Sequence, residues 1–381
     1  MVFGRLLRAT SLRTRLRIRE AREGNGVLSR KRKRVTLRDV ARHAGVSPTA
    51  VSFAYNAPHQ LSHTTREHIL DTAESLGYQP HPVARTLATG RTNAIGLLVA
   101  TSLNWMLHDP LFTHFLGEVG AACDREEKRI VLASMHESWR HDTRQGGEAV
   151  APITWLASIA ADGFLMFGIN RAHPLAEAVQ RSLRPIVLLD SADDLQAPTF
   201  NIDDRGGAYA AAQHLLAKGH RQFAIATMTP RRDGVVIPSI ERRVQAFSQA
   251  VEEAGLPPTA VQIVHARGVP AAGLESFRNI WQLRRRPTAV FCVSDVRALG
   301  VLSGARREGI SVPDDLAVVG FGDLPDASVS SPPLTTVHRD MDSQPQLAIR
   351  TLFQLINEQI SEADIESPHI SETRLVVRES S

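Results

Sequence analysis

The sequence predicts a small all-α head followed by a larger α/β body of two lobes. Two short helices separated by a tight turn begin the head, between residues 36 and 61. From residue 94 onward, short apolar runs alternate with helix-length segments, as in parallel sheets covered on both faces. Residues 1–91 hold 17 Lys and Arg against 6 Asp and Glu, whereas residues 92–381 hold 27 against 34. This asymmetry is typical of a chain that binds a polyanion at one end only.

Caps and a glycine define the first helix pair in the run TLRDVARHAGVSPTAVSFAYN. Thr36 is predicted to cap the first helix, with Asp39 as its capping-box partner. Gly45 supplies the left-handed backbone of a tight turn, and Ser47 and Pro48 fit the N-cap and first position of the second helix. Such a pair is a helix-turn-helix, whose second helix suits the DNA major groove. Two ordinary helices of a small bundle are the alternative, and the segments that follow argue against it.

Further motifs follow in order: a third helix from Ser62 that ends in ESLGYQP, and then PVARTLATGRTNAIGLLV. With the helix-turn-helix run, these resemble the head and hinge of the lactose-repressor and galactose-repressor (LacI/GalR) family of bacterial transcription regulators. The resemblance extends to about residue 340 and is fainter beyond it. It implies a DNA-binding head at residues 35–80, a hinge helix at 81–92, and a periplasmic-binding-protein-like domain for ligand binding and dimerisation at 93–381.

The residues expected to contact DNA follow from side-chain type and from the resemblance. Short polar side chains suit phosphate oxygens, and the family reads base edges from the start of the second helix. The predicted phosphate contacts are Thr36, Ser47, Ser52 and Asn56, and the predicted base contacts are Pro48, Thr49 and Phe53. Phe53 can pack on a thymine methyl or fill the core of the head, so both roles stay open.

The hinge is predicted to be a helix that is stable only on DNA. Pro82 opens it, Val83, Ala84 and Leu87 line one side, and a lone helix of this length is marginal in water. In the family, paired hinge helices of a dimer form in the minor groove. The resemblance therefore implies that Leu87 wedges between the central base pairs and kinks the DNA.

Apolar runs predict the strands of the body, in two groups that imply two lobes with a cleft between them. The runs are IGLLVA, RIVLASM, DGFLMFGI and PIVLLD in the first group, and RQFAIAT, AVQIVHA, TAVFCVS and LAVVGFG in the second. The arrangement resembles the family's effector domain, in which the chain crosses between lobes three times and a small ligand closes them. In IDDRGGAYAAAQHLL, Asp203-Asp204 stands where the family usually has Asp-Asn.

The expected ligand residues come from motifs of the body. By resemblance, SIERRVQAF puts Arg243 on the family's ligand-binding arginine with Ser239 one turn before it, and FCVSDVRALG puts Asp295 on its cleft aspartate. An arginine and a carboxylate facing one pocket can bind vicinal hydroxyls, so a sugar is the expected ligand class. Asp190 and Phe112 match first-lobe cleft positions, with a surface ion pair and a core ring as the respective alternatives.

Patterns of enzymes and metal sites are missing from the sequence. It contains no GxxxxGK loop, no GxSxG elbow and no third glycine after its GxG pairs. His59, His63 and His68 lack the spacing of a metal-ligand set. Cys123 and Cys292 stand in apolar company, which predicts buried thiols in a reducing compartment. We expect no enzyme activity, no cofactor and no metal.

Residues 1–34 carry twelve Arg and Lys against Glu20 and Glu23 and are expected to be disordered. No apolar run of a secretory signal follows the first charges, and no stretch is long enough to span a membrane, so a cytoplasmic protein is expected. The tail is either a flexible arm on phosphates or in part the product of a start codon assigned too far upstream. In neither case does it read DNA sequence.

These observations predict a dimeric DNA-binding transcription regulator, most often a repressor in the family, that is controlled by a small ligand and binds an inverted-repeat operator. The alternative from another class is a solute-binding or carbohydrate-sensing protein without regulatory DNA contact. The basic head and the lack of a secretory signal argue against it. An enzyme on the same body ranks third.

Overall fold

The computed structural model describes residues 35–79, 86, 90–135, 151–229, 237–266 and 272–381. Contacts divide the chain into two units, Met1–Arg91 and Thr92–Ser381. The predicted tail at 1–34 and the hinge residues Val83, Ala84 and Leu87 lie outside the described residues. Among the helices that the structure describes, none combines the length and apolar content needed to cross a membrane.

The described part of the head contains three α-helices, α1 (Leu37–Ala44), α2 (Pro48–Asn56) and α3 (His63–Ser75). Thr36 and Asp39 form the predicted capping box, and Gly45 ends α1 with a φ of 66°. The side chain of Ser47 accepts a hydrogen bond from the amide of Ala50, and Pro48 occupies the first helical position. The predicted helix-turn-helix is therefore confirmed. Its small core consists of Val40, Ala41, Ala44, Val51, Ala54, Ile69 and Ala73.

The body contains two mainly parallel sheets. Its strands are β1 (Ala94–Val99), β2 (Arg129–Ser134), β3 (Gly163–Phe167), β4 (Ile186–Leu189), β5 (Thr199–Ile202), β6 (Phe223–Met228), β7 (Val261–Ala266), β8 (Ala289–Cys292), β9 (Ala317–Gly322), β10 (Thr335–Arg339), β11 (His369–Ser371) and β12 (Thr373–Val376). The sheet orders are β11-β5-β4-β3-β1-β2 and β12-β10-β9-β8-β6-β7. Among the described strands, only β12 pairs antiparallel, with β10. Every apolar run predicted as a strand forms one.

Helices cover both faces of each sheet, as buried parallel strands require. They are α4 (Leu103–Met106), α5 (Pro110–Arg125), α6 (Pro152–Ser158), α7 (Leu175–Arg181), α8 (Asp204–Ala217), α9 (Pro238–Glu253), α10 (Ala272–Trp281), α11 (Asp295–Arg307), α12 (Pro325–Val329) and α13 (Ser343–Ile356). Helix α13 packs in the core of the first sheet, and α8 and α9 pack in the core of the second. The two sheets therefore have separate cores and form two lobes.

The chain passes between the lobes three times, as predicted. It leaves the first sheet after β5 to form α8, returns after β10 to form α13, and crosses again between β11 and β12. Because parallel strands share the direction of their carboxyl ends, each lobe presents a row of strand ends as a ligand-binding edge. Residues that follow β4, β8 and β10 are the first candidates for a site.

Candidate functional site

One cavity lies between the two lobes, at the ends of the strands. Met, Leu, Ile, Val and Phe side chains form much of its wall, and the polar residues are few. Those polar residues are Asp109, Asp190, Ser239, Arg243, Ser294, Arg297 and Arg339. A largely apolar cavity with a small set of converging polar groups is the usual form of a small-molecule site.

The structure brings four of the five predicted ligand residues to this cavity: Phe112, Asp190, Ser239 and Arg243. Phe112 is also a core ring, since its centroid lies 5.9 Å from that of Phe167 in an edge-on contact. The two interpretations of Phe112 are therefore compatible. Asp190 is not a surface ion pair, because it is only 3% exposed.

Arg243 is held in place by contacts on three sides. Its Nε donates to Asp204 Oδ1 at 2.7 Å, and its Nη1 donates to the Val293 carbonyl at 2.7 Å. Its guanidinium carbon lies 3.7 Å from the ring centroid of Phe321. These contacts fix the guanidinium plane at the cavity wall, and a fixed plane gives directed hydrogen bonds to a ligand.

Asp204 joins two arginines behind the cavity wall. Its Oδ2 accepts a hydrogen bond from Arg242 Nε at 3.1 Å, while Oδ1 accepts the bond from Arg243. Burial raises the pKa of Asp204, and the positive charges of Arg243 and Arg242 oppose that rise. Arg242 also donates to the carbonyl of Ser191 at 3.1 Å, which links the second lobe to the first.

Asp190 and Arg339 form an ion pair with unused hydrogen-bonding capacity. Arg339 Nη1 lies 3.3 Å from Asp190 Oδ2, and Arg339 Nη2 donates to Gln344 Oε1 at 2.7 Å. Asp190 Oδ1 and Arg339 Nε are both buried without a hydrogen-bond partner. Asp190 also has a left-handed backbone, with a φ of 45°. Unpaired buried polar atoms and unfavourable backbone angles are both concentrated at ligand sites.

Asp109 is an acidic wall residue that caps the helix carrying Phe112. Its Oδ1 accepts a hydrogen bond from the amide of Leu111 at 2.9 Å, at the start of α5. Burial raises the pKa of Asp109, whereas its amide hydrogen bonds and the charges of Arg339 and Arg243 lower it. The cap sets the direction in which α5 enters the cavity wall.

The predicted role of Asp295 as a ligand contact is corrected by the structure. Asp295 is fully buried and does not line the cavity. Its Oδ2 accepts from the amide of Leu324 at 2.8 Å, and its Oδ1 accepts from the Thr336 hydroxyl at 2.5 Å. Asp295 therefore fastens the turn after β9 and the strand β10 to the start of α11. The resemblance located the right strand end, but the side chain points into the protein.

Asp295 should make stability depend on pH. Burial raises its pKa from 3.8 to about 6 despite its hydrogen bonds with Thr336 and Leu324. Folding therefore favours the protonated carboxyl of Asp295. The resulting stabilisation of the folded protein is fully present below the ordinary pKa of 3.8 and is lost as the pH rises through about 6. Relative to Asp295→Asn, the free energy of unfolding of the parent should fall by on the order of 3 kcal/mol between about pH 4 and pH 7. Urea unfolding at several pH values measures it, and a pH-independent difference between the two proteins contradicts it.

Sequence reasoning missed four polar residues of the cavity wall: Asp109, Ser294, Arg297 and Arg339. Asp109 carried a usable signal, because an Asp directly before Pro110 is a typical helix N-cap. Arg339 meets Asp190 only through the crossing from β10 to α13. Arg297 follows Asp295 by two residues on the same helix, so the motif that indicated Asp295 also contains a residue of the cavity wall.

One group of metal-ligand side chains is compact among the described residues: His114, Glu118 and Asp342. His114 is hydrogen-bonded to Asp342 Oδ1 at 2.7 Å, and Glu118 accepts from Gln346 Nε2 at 2.9 Å. These pairings satisfy the side chains within the protein. We assign the group no metal.

The head exposes the predicted DNA contacts at the start of α2. Ser47, Pro48 and Thr49 are exposed, and Phe53 is half-buried and does not belong to the core of the head. Ser52 and Asn56 lie one turn apart on α2, where Asn56 Nδ2 donates to Ser52 Oγ at 3.3 Å. Thr36 is exposed at the amino end of α1.

Comparison with known proteins identifies both parts of the chain. Family models match residues 36–81 as bacterial regulatory proteins of the lacI family and residues 212–381 as a periplasmic binding protein-like domain. The HTH-type transcriptional repressor PurR of Histophilus somni is 30% identical over 345 residues, which cover 87% of this chain and 95% of the relative. The chain belongs to the lacI family. An HTH-type transcriptional regulator of Mycobacterium tuberculosis is 31% identical to this lacI-family chain over 329 residues, covering 81% and 89% of the two chains.

Solved structures of other regulators share the fold of this lacI-family chain. The transcriptional regulator CelR, solved as a cellobiose complex, is 28% identical with a TM-score of 0.62, and the match covers 91% of this chain and all of that one. The lac repressor dimer bound to operator and an anti-inducer is 24% identical with a TM-score of 0.72, covering 91% and 99%. The relatives are transcription regulators rather than enzymes. This lacI-family chain is a DNA-binding transcriptional regulator.

Proposed function

We propose that this regulator is a repressor that binds an inverted-repeat operator as a homodimer and is released or tightened by a sugar bound between its lobes. The working parts are a head at residues 35–80, a hinge at 81–92 and a ligand-binding domain at 93–381. A single short recognition helix reads few bases, so two heads related by a two-fold axis are needed for a specific site. The ligand assignment rests on the ion pair of Asp190 with Arg339 and on its two buried atoms without hydrogen-bond partners, Asp190 Oδ1 and Arg339 Nε.

On DNA, the predicted contacts of the head fall into two groups, those with bases and those with phosphates. Pro48, Thr49 and Phe53 contact base edges in the major groove, and the half-buried, non-core position of Phe53 supports apolar contact with a thymine methyl. Thr36, Ser47, Ser52 and Asn56 contact phosphates. Leu87 enters the minor groove between the central base pairs, with Val83 and Ala84 on the same hinge surface.

A polyhydroxylated ligand fits the unused atoms of the cavity. A ligand hydroxyl can donate to Asp190 Oδ1 while it accepts from Arg339 Nε, and both atoms are buried without partners. Arg243 and Ser239 supply further hydrogen bonds from the second lobe, and Phe112 offers an apolar surface to a sugar ring. The cellobiose complex of CelR, a relative 28% identical to this chain, supports a carbohydrate.

The experiment first recovers the operator and then asks whether a sugar changes its occupancy. Genomic fragments bound by the full chain are sequenced, and the enriched site is titrated in the presence of mono- and disaccharides. We expect an inverted repeat that binds two chains, with its occupancy changed by at least one sugar. Binding of one chain to an asymmetric half-site with equal affinity contradicts the dimer, and indifference to every sugar contradicts the ligand class.

Asp190→Asn should lower affinity for the responding sugar by about 1.5 to 3 kcal/mol, roughly 10- to 100-fold. The charged acceptor is lost, whereas ligand-free operator binding stays close to that of the parent. The matched control is Asp194→Asn, because Asp194 is exposed on the same loop. Calorimetric titration measures the affinities, and equal values for Asp190→Asn and Asp194→Asn exclude Asp190 from the binding site.

A further inference from the structure

Arg297 is a buried cation at the cavity wall that forms no ion pair with the residues that the structure describes. It is 3% exposed. Its Nη1 donates to Ser276 Oγ and its Nη2 donates to the Ala266 carbonyl, both at 3.3 Å. These bonds are longer than the usual N–H···O range. No carboxylate in the described part of the chain forms an ion pair with Arg297. Burial lowers the pKa of Arg297, and the neighbouring charges of Cys292 and Glu275 oppose that fall without forming an ion pair.

The other arginines of the cavity wall differ from Arg297 in this respect. Arg243 is paired with Asp204, and Arg339 is paired with Asp190. Burying a guanidinium without a counter-charge is strongly unfavourable, so an unpaired one at a binding site indicates a partner supplied from outside the chain. Among the three arginines of the cavity wall, Arg297 is the one without an ion pair to a described residue.

A purely structural arginine elsewhere in the body shows what a satisfied guanidinium looks like. Arg184 donates to the carbonyls of Leu156, Ile159 and Ala161 at 2.6, 2.7 and 3.0 Å. Arg297 makes only two bonds, both weaker. Its Nε donates to no residue in the parts of the chain that the structure describes. A role as a clamp between helices therefore accounts poorly for Arg297.

The position of Arg297 on its helix strengthens the case for an anion. It stands in the first turn of α11, where the helix dipole is positive and disfavours a cation. Ser294 is the N-cap of the same helix and lines the cavity, but its side chain makes no capping bond. The Ser294 hydroxyl and the helix amino end thus add donors beside the buried charge, which is a combination suited to an anionic group.

We propose that the ligand carries an anionic group, a carboxylate or a phosphate, and that Arg297 binds it with Ser294 and the amino end of α11. This deepens the proposed function, on which it rests: the effector is a sugar acid or a sugar phosphate. Asp190 and Asp109 disfavour an anion at their side of the cavity. The neutral hydroxyls therefore face Asp190, and the anionic group faces α11.

The test compares the full-length parent with Arg297→Met, which keeps the bulk of the stem without the charge. Arg307→Met is the matched control, because Arg307 is exposed in the last turn of the same helix. Each protein is titrated with aldoses, the matching uronic acids and the matching sugar phosphates. We expect an anionic member to bind the parent more tightly than its neutral counterpart, with a loss of roughly 10- to 100-fold in Arg297→Met and none in Arg307→Met. Which anionic series binds identifies the group as carboxylate or phosphate.

A second experiment tests the anion site without knowledge of the sugar. Inorganic phosphate, compared with chloride at equal ionic strength, should raise the melting temperature of the parent and of Arg307→Met but not that of Arg297→Met. Without added anions, Arg297→Met should be at least as stable as the parent, because an unbalanced buried charge is gone. If no sugar binds but phosphate acts through Arg297, the sugar class fails and the anion site stands. If phosphate has no effect on the parent, if Arg297→Met retains anion binding, or if a neutral sugar binds better than its acid, the anion site is wrong.

Discussion

Operator binding should weaken by on the order of 10³-fold or more when the salt concentration rises from about 50 to about 200 mM. The reason is the distribution of charge, because residues 1–91 hold 17 Lys and Arg against 6 Asp and Glu. Each phosphate that a basic side chain neutralises releases counterions, so the logarithm of the affinity falls linearly with the logarithm of the salt concentration. Fluorescence anisotropy with the recovered operator gives this slope directly.

The chain offers a control that separates the contributions of its parts. Twelve of the basic residues lie in residues 1–34, and only five lie in residues 35–91. A protein that begins at residue 35 should show a shallower salt slope and weaker binding to all DNA. Its preference for operator over random DNA should remain, because base contacts come from α2. A preference that disappears with the tail contradicts this division, and so does an unchanged slope.

Local sequence signals were sufficient to predict the head. The capping box of Thr36 and Asp39, the turn at Gly45 and the Ser47-Pro48 start each involve neighbouring residues. Such features depend on backbone geometry and on hydrogen bonds within one turn, which residue type determines directly. For this reason both the helices and their boundaries could be predicted from a single sequence.

The strands that sequence reasoning missed are short and lie at crossings or sheet edges. β5 (TFNI), β10 (TTVHR), β11 (HIS) and β12 (TRLV) have three to five residues, and polar side chains interrupt their apolar pattern. Each exists because a partner from a distant part of the chain supplies its ladder: β11 pairs with β5, and β12 pairs with β10. The apolar periodicity of a short sequence segment contains no information about such distant partners.

The cavity could be predicted only in part, for a related reason. The family resemblance indicated Arg243 and Asp190, whereas Arg339 forms its ion pair with Asp190 across 149 sequence positions. Asp295 was indicated at the right strand end but turns towards Leu324 and Thr336. A strand end fixes the position of a residue, and the direction of its side chain is fixed by the donors that the tertiary structure places around it.

Asp203-Asp204 stands where the family usually has Asp-Asn, and the contacts of Asp204 give a physical reason for this difference. Asp203 caps α8 by accepting a hydrogen bond from the amide of Gly206 at 2.8 Å. Asp204 is 1% exposed and receives the guanidinium groups of both Arg242 and Arg243. Two buried cations need an ionised acceptor more than a neutral amide, so the second carboxylate suits the arginine pair.

Asp204→Ala should lower the free energy of unfolding by about 3 to 5 kcal/mol, because it leaves two buried guanidinium groups without their shared acceptor. Arg242 and Arg243 are 8% and 4% exposed, so water cannot replace the carboxylate without rearrangement. Urea unfolding of the full chain measures the change, and α8 and α9, which are joined by this contact, should lose protection from hydrogen exchange first.

The adjacent Asp203→Ala variant is the matched control, since it removes a helix cap and should cost only about 1 kcal/mol. A triple variant, Asp204→Leu with Arg242→Met and Arg243→Met, should recover most of the stability lost in Asp204→Ala, because apolar residues can replace a buried ionic group. Equal losses of stability in Asp204→Ala and Asp203→Ala contradict the buried ionic group of Asp204, Arg242 and Arg243.

Sugar affinity provides a functional test of the same contact. Because Asp204 fixes the plane of Arg243, the Asp204→Ala variant should bind the responding sugar more weakly, whereas Asp203→Ala should not.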